Sequence, residues 1–197
     1  MKCDICGAEG IYETITVNNT KYSLCEYDLI YTERILHSRQ CGEMLNIAWG
    51  DGRVNFGCWA LIRDILRKNN ITEVLELGAG LSSELFALEG MKLTSFDVLP
   101  NHIKLLQNLN PIKHTANFHH YEYGVAPPVK ELYLNKTWDF IFVDGPQERS
   151  REVKVAMEVG TKFIFLHDPN MGEQNFFPND QWKEVSHKLY EKVIWTI

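Results

Sequence analysis

The sequence predicts a doubly wound α/β domain with a mostly parallel sheet and a small metal-stapled module at its N-terminus. Three observations predict this. From Ile71 onward, short apolar runs alternate with helical stretches, the pattern of strands covered by helices on both faces. One apolar run opens into Gly78-Ala79-Gly80 at the start of a helical stretch. Four of the five cysteines fall within the first 41 residues.

The bulk properties agree. A chain of 197 residues suits one α/β domain and an appendage. Its 45% hydrophobic and 23% charged residues are the balance of a globular protein rather than a disordered one. No apolar run approaches the roughly 18 residues that a membrane span needs, and the N-terminus shows no secretory apolar region. These readings favour the cytoplasm and no membrane. The formal charge of −6 lowers the expectation of a nucleic-acid partner, because phosphate binding calls for a basic face. An odd number of cysteines argues against a disulfide framework.

Residues 1–45 form the predicted metal module and residues 46–197 the α/β domain. Within the first, Asn18-Asn19 marks a turn, and a helix follows Cys25 as far as Leu36. The second begins with a helical pattern of Phe56, Trp59, Ile62, Ile65 and Leu66, stopped by Asn69-Asn70. Cys58, on the apolar side of that helix, reads as core. Strands are predicted at Glu73–Leu77, Lys92–Asp97, Asn117–Tyr121, Phe140–Val143 and Lys162–His167, with one late strand at Leu189–Thr196. Helices are predicted at Ser82–Glu89, Asn101–Leu109 and Glu148–Val159.

In such sheets ligands bind beyond the carboxyl ends of the strands, so the residues at those tips carry the functional reading. Gly78 and Gly80 let a ligand approach the main chain closely. A dinucleotide loop would place a third glycine where Ser83 stands. That departure, with the acid Glu76 on the preceding strand, points to a cofactor carrying positive charge rather than to NAD. Twenty-one positions after Glu76, Asp97 ends the next strand, where an aspartate can accept the hydroxyls of an adenosine ribose.

Val74–Ser83, Asp97 and Trp138-Asp-Phe-Ile-Phe-Val-Asp-Gly-Pro resemble, in order and spacing, the class I S-adenosylmethionine-dependent methyltransferases. The likeness covers about residues 55–170. It is closest to the branch whose loop reads Gly-x-Gly-x-Ser-Ser/Thr, whose fourth strand ends in Asp-Gly and whose fifth ends in His-Asp. The resemblance implies a Rossmann-like methyltransferase sheet and S-adenosylmethionine as cofactor. It implies that Glu76, Gly78 and Gly80 hold the methionine portion, Asp97 the ribose, and that Val98 packs near the adenine. Ser82 and Asp144 are counted with this set. The family has a closing pair of strands, whereas only one late strand is evident here.

Methyl transfer needs an acceptor held in line with the methyl, and a base where that acceptor must lose a proton. Asp144 stands at the tip of the fourth predicted strand. Val143-Asp144-Gly145-Pro146 is unlike the Asn/Asp-Pro-Pro-Tyr/Phe of enzymes that methylate DNA bases, so that substrate class is discounted. His167 and Asp168, on the neighbouring tip, admit three readings. They form an acid–base group with Asp144; or Asp144, Asp168 and Asn170 ligate a Mg²⁺-like ion; or Asp168-Pro169-Asn170 is simply a turn.

Cys3-Asp-Ile-Cys6-Gly7 is a knuckle pattern, and eighteen residues later Cys25-Glu-Tyr-Asp28 precedes the predicted helix. Thiolates on a tight turn and at a helix start resemble small treble-clef or zinc-ribbon modules, and tetrahedral zinc accepts such a set. The expected ligands are Cys3, Cys6, Cys25 and Asp28, with His37 or Cys41 as alternatives to Asp28. A segment this short is poorly able to bury a core, which makes a structural zinc physically reasonable.

The leading expectation is therefore a cytosolic methyltransferase acting on a small-molecule or protein acceptor, with oxygen slightly preferred over nitrogen. A methyltransferase-like binding protein without turnover is second, and an NAD-linked enzyme third.

Overall fold

The computed structural model describes residues 2, 9–10, 13–17, 20–25, 29–30, 33, 56–109, 116–145, 149–167, 183–187 and 192–196. The predicted boundary near residue 45 falls outside them.

Near the N-terminus, β1 (Glu13–Val17) and β2 (Thr20–Leu24) form an antiparallel hairpin, with Val17 opposite Thr20. An isolated antiparallel bridge joins Lys2 to Glu9. Leu29 N–H donates to Cys25 O at 3.0 Å, and Leu29, Ile30 and Glu33 are helical.

The larger unit begins with α1 (Phe56–Lys68). It ends where Asn70 takes a left-handed φ of 52°, a conformation asparagine tolerates, and Ile71 N–H bonds back to Leu66 O. Then β3 (Glu73–Leu77), α2 (Leu81–Leu88), β4 (Lys92–Asp97), α3 (Pro100–Asn108) and β5 (Ala116–His120) follow in strict alternation. After a short α4 (Val129–Leu132) come β6 (Phe140–Val143), α5 (Arg149–Val159) and β7 (Phe163–Leu166). The chain closes with β8 (Lys183–His187) and β9 (Lys192–Thr196).

The seven strands lie in the order β5-β4-β3-β6-β7-β9-β8. The first five are parallel, while β9 runs antiparallel to both β7 and β8. The single late strand expected from sequence is thus corrected to a pair. β8 is an edge strand, and Lys183-Glu-Val-Ser-His187 carries no apolar run that would announce it.

Alternation along the strands builds two cores. Val74, Phe140, Phe142 and Phe165 pack with Ile62, Leu66, Leu85 and Phe86 on the α1/α2 face. Leu75, Leu77, Ile141, Val143, Ile164 and Leu166 pack with Val153 and Ala156 of α5 on the other. Truncating one of the buried phenylalanines to alanine would cost about 3–5 kcal/mol. Both faces of the central strands being apolar, polar chemistry is confined to their ends. The chain runs outward from β3 to β5 and then returns to β6 on the other side of β3. This reversal of strand order lies between β3 and β6, and the carboxyl ends of the strands beside such a switch point are where open α/β sheets bind ligands. Among the described residues no helix is long and apolar enough to cross a membrane.

Candidate functional site at the carboxyl ends of the central strands

Glu76 lies on the face of β3 that also carries Val74, in register with Ser95 of β4. It is fully buried. Its Oε1 accepts from Ser82 Oγ at 2.5 Å, and its Oε2 accepts from Ser83 Oγ at 2.5 Å and Ser95 Oγ at 2.6 Å. Burial pushes the carboxyl up to about 7 and nearby Asp144 adds to the rise, while the three hydroxyls pull it down. Enclosed in this way, Glu76 reaches a ligand only through the serines and the loop that they anchor. The hydroxyl of Ser82 is engaged in the same bond.

The loop above Glu76 is shaped by two glycines with different reasons for being glycine. Gly78 has a φ of 103°, and a Cβ there would overlap the backbone of Asp144 and Gly145. It is what allows the β3 loop to lie against the β6 tip. A Cβ on Gly80 would meet nothing within 4 Å, so packing within the protein does not require glycine there. Gly80 N–H donates to Ser83 Oγ at 3.2 Å, and that hydroxyl in turn donates to Glu76.

Asp97, at the tip of β4, is 2% exposed. Its Oδ1 accepts Leu99 N–H at 2.6 Å, and its Oδ2 lies 3.8 Å from His102 Nδ1. Val98 beside it is half-buried against the α5-side core.

On the other side of the switch point, Asp144 N–H donates to Leu77 O at 2.7 Å and His167 N–H to Val143 O at 2.9 Å, extending the ladder past the strand ends. This aligns the two side chains, and Asp144 Oδ1 lies 2.8 Å from His167 Nδ1. The imidazole is nearly buried, while the carboxylate is 23% exposed. A carboxylate only accepts, so this bond places a proton on His167 Nδ1.

Glu76, Gly78, Gly80, Ser82, Asp97, Val98, Asp144 and His167 therefore gather at one end of the sheet. Asp168, Cys3, Cys6 and Asp28 lie outside the described residues, as do Asn170, His37 and Cys41. Among the described residues no three His, Cys, Asp or Glu side chains form a metal-sized cluster. A surface hollow of about 420 Å³ near α4 is lined by other residues, including Tyr133, Lys136 and Glu158.

Sequence reasoning missed Ser95, Tyr121 and Glu152, and it placed Ser83 in the loop motif without a role for its hydroxyl. The signal for Ser95 was present, since parallel strands in register set it beside an acid that has to find donors. Glu152 is 1% exposed on α5, accepts Tyr121 Oη at 2.7 Å on Oε1, and sits where a Cβ on Gly145 would overlap it.

No family model matches the chain, and no curated protein matches it by sequence. Solved structures do match in fold. A Staphylococcus aureus protein described as a caffeoyl-CoA O-methyltransferase aligns over 86% of this chain and 95% of its own, at a TM-score of 0.63 and 17% identity. A cofactor-bound protein from MTB aligns over 83% and 88%, at 0.60 and 11%. An SAH-bound methyltransferase from Podospora anserina aligns over 84% and 86%, at 0.58 and 11%. At these identities the likeness is one of fold, that of a Rossmann-like methyltransferase sheet.

Proposed function

We propose that this chain is a cytosolic S-adenosylmethionine-dependent methyltransferase acting on a small-molecule acceptor, with a hydroxyl oxygen preferred. The observation that carries the reading is the division of this end of the sheet around one glycine loop. A buried aspartate stands on the β4 side, and an aspartate–histidine pair stands on the β6–β7 side. The fold shared with solved methyltransferases agrees with it.

The residues present fit the cofactor. Gly80 offers open space beside the main chain, and Asp97 Oδ2, beside His102 Nδ1, is the oxygen that would accept a ribose hydroxyl while Leu99 N–H holds Oδ1. Val98 adds an apolar wall, and Glu76 with Ser82, Ser83 and Ser95 holds the loop in shape. When bound, the cofactor supplies an electrophilic methyl group. His167 Nε2 is the base for the acceptor hydroxyl, with Asp144 fixing the tautomer and favouring the charged ring as the proton arrives. A phosphate-binding loop for NAD would present its N–H groups outward, whereas Gly80 N–H is capped by Ser83. The acid–base reading is preferred to Mg²⁺ because Asp144 Oδ1 is already bonded to His167.

Transfer of a radiolabelled methyl from S-adenosylmethionine to a panel of phenols and alcohols tests this. Turnover with some hydroxyl acceptor, insensitive to EDTA, is the expected result. A rate abolished by EDTA and restored by Mg²⁺ would replace the base with a metal. Cofactor binding without transfer to oxygen, nitrogen or protein acceptors would favour the binding-protein reading.

We also propose a structural zinc held by Cys3, Cys6, Cys25 and Asp28. The Lys2–Glu9 bridge brackets Cys3-Asp-Ile-Cys6-Gly7, and Cys25 directly follows β2 and opens a helical turn. The bridge and the hairpin bring the two cysteine-bearing stretches to the flanks of described structure, which supports the reading. About one zinc per chain is expected on metal analysis, lost in a Cys3→Ser/Cys6→Ser variant that still binds cofactor. Metal-free protein prepared under reducing conditions would contradict it.

A further inference from the structure

Tyr121 and Glu152 lie outside the machinery described so far, yet they touch both sides of it. Tyr121 follows β5, and its N–H donates to Asp97 O at 3.1 Å. Its hydroxyl crosses to α5 and donates to Glu152 Oε1 at 2.7 Å. The Glu152 carboxylate occupies the space that a side chain at position 145 would fill. On its other flank the same Asp144–Gly145 turn bears against Gly78, and Asp144 meets His167.

A buried tyrosine–glutamate pair beside the apolar α5-side core is costly, because both polar groups are taken out of water. Directionality is what the pair adds. The O–H···O bond gives the carboxylate a preferred direction, and the missing side chain of Gly145 lets it lie directly against the turn. Burial, followed by the charge of Glu152, pushes the phenol well above its ordinary range, so it stays a donor.

We infer that Tyr121 and Glu152 form a buried strut that positions the Asp144–Gly145 turn, and through it the Asp144–His167 pair. They are positioning residues. Their bearing on methyl transfer rests on the function proposed above, but their bearing on the geometry of the pair does not.

The test therefore reads His167 directly, without cofactor or acceptor. Imidazole ¹⁵N NMR of the full chain, with His167 assigned by a His167→Asn variant, distinguishes the Nδ1–H from the Nε2–H tautomer. Wild type should show Nδ1 protonated and bonded, and Asp144→Asn should lose that signature. Tyr121→Phe and Glu152→Gln, which keep size and shape, should each shift His167 part of the way toward the Asp144→Asn spectrum. Their double variant should shift no further than the larger single one, since each removes or weakens the same Tyr121–Glu152 bond. Circular dichroism checks the fold, and the affinity for S-adenosylmethionine should stay within about twofold. Folded variants with an unchanged His167 spectrum, or additive shifts, would overturn the strut. So would an equal or larger loss of cofactor affinity. A wild-type protein that shows the tautomer shifts but binds no S-adenosylmethionine would sink the proposed function and leave the strut standing.

Discussion

The carboxyl end of the sheet has two shoulders, each built on a carboxylate at a strand end, and the two carboxylates are treated in opposite ways. Under the β3 loop, Glu76 is fully buried and bonded to three serine hydroxyls, each neutral. On the β6 tip, Asp144 is partly exposed and bonded to one imidazole, a group able to take up charge. Neutral donors around a buried acid make a fixed scaffold. An imidazole beside a partly exposed acid is, in the function proposed above, the group that takes the acceptor's proton. The same functional group is thus enclosed by hydroxyls on one shoulder and paired with an imidazole on the other.

The sharpest way to break this comparison is on the chemical shoulder. Asp144→Asn, which keeps the shape but lets the amide stabilise the other imidazole tautomer, is expected to lower methyl transfer by about 10²–10⁴-fold. Single-turnover transfer with a responsive acceptor measures it. A loss below about threefold would remove the pair from the reaction.

Between the shoulders, Gly78 is where the β3 loop meets the β6 tip. Alanine there combines an unfavourable φ with overlap against the Asp144–Gly145 backbone, and about 3 kcal/mol or more of stability should be lost. Urea unfolding reads this directly. Alanine at Gly80, with open space around it, should unfold close to wild type and affect ligand binding instead.

The smallest effect is on the scaffold shoulder and has a distinctive sign. Glu76 carries a carboxyl raised from 4.5 to about 7 in the folded protein. Its contribution to stability is therefore complete below about 4.5 and is lost as the pH rises through about 7. Glu76→Gln mimics the neutral form and can keep all three serine bonds. It should match wild type at acid pH and exceed it by up to about 3 kcal/mol above neutrality. A variant less stable than wild type at pH 8 would show that the charged form is the one the serines are built for.

How much of this was legible in the sequence follows from the range of the forces involved. β3, β4 and β6 declare themselves because strands buried on both faces are continuous apolar runs. β8 is invisible because Lys183-Glu-Val-Ser-His187 carries no such run. The loop and the tip residues Asp97, Asp144 and His167 were readable because turn chemistry is local. Glu152 was not, since an acid in the first turn of a helix is ordinarily explained by the helix dipole, and its partner lies 31 residues away. Ser83 was placed by the loop motif, but the role of its hydroxyl, bridging Gly80 and Glu76, was not readable.

The central claim is that cofactor binding and turnover are divided between Asp97 and Asp144. Titration calorimetry with S-adenosylmethionine on wild type, Asp97→Ala and Asp144→Asn tests it most directly. Wild type should bind, Asp97→Ala should weaken binding by about 10–100-fold through loss of a charge-assisted hydrogen bond, and Asp144→Asn should stay within about threefold of wild type. Undiminished affinity in a folded Asp97→Ala protein, or an equal loss in both variants, would contradict the division.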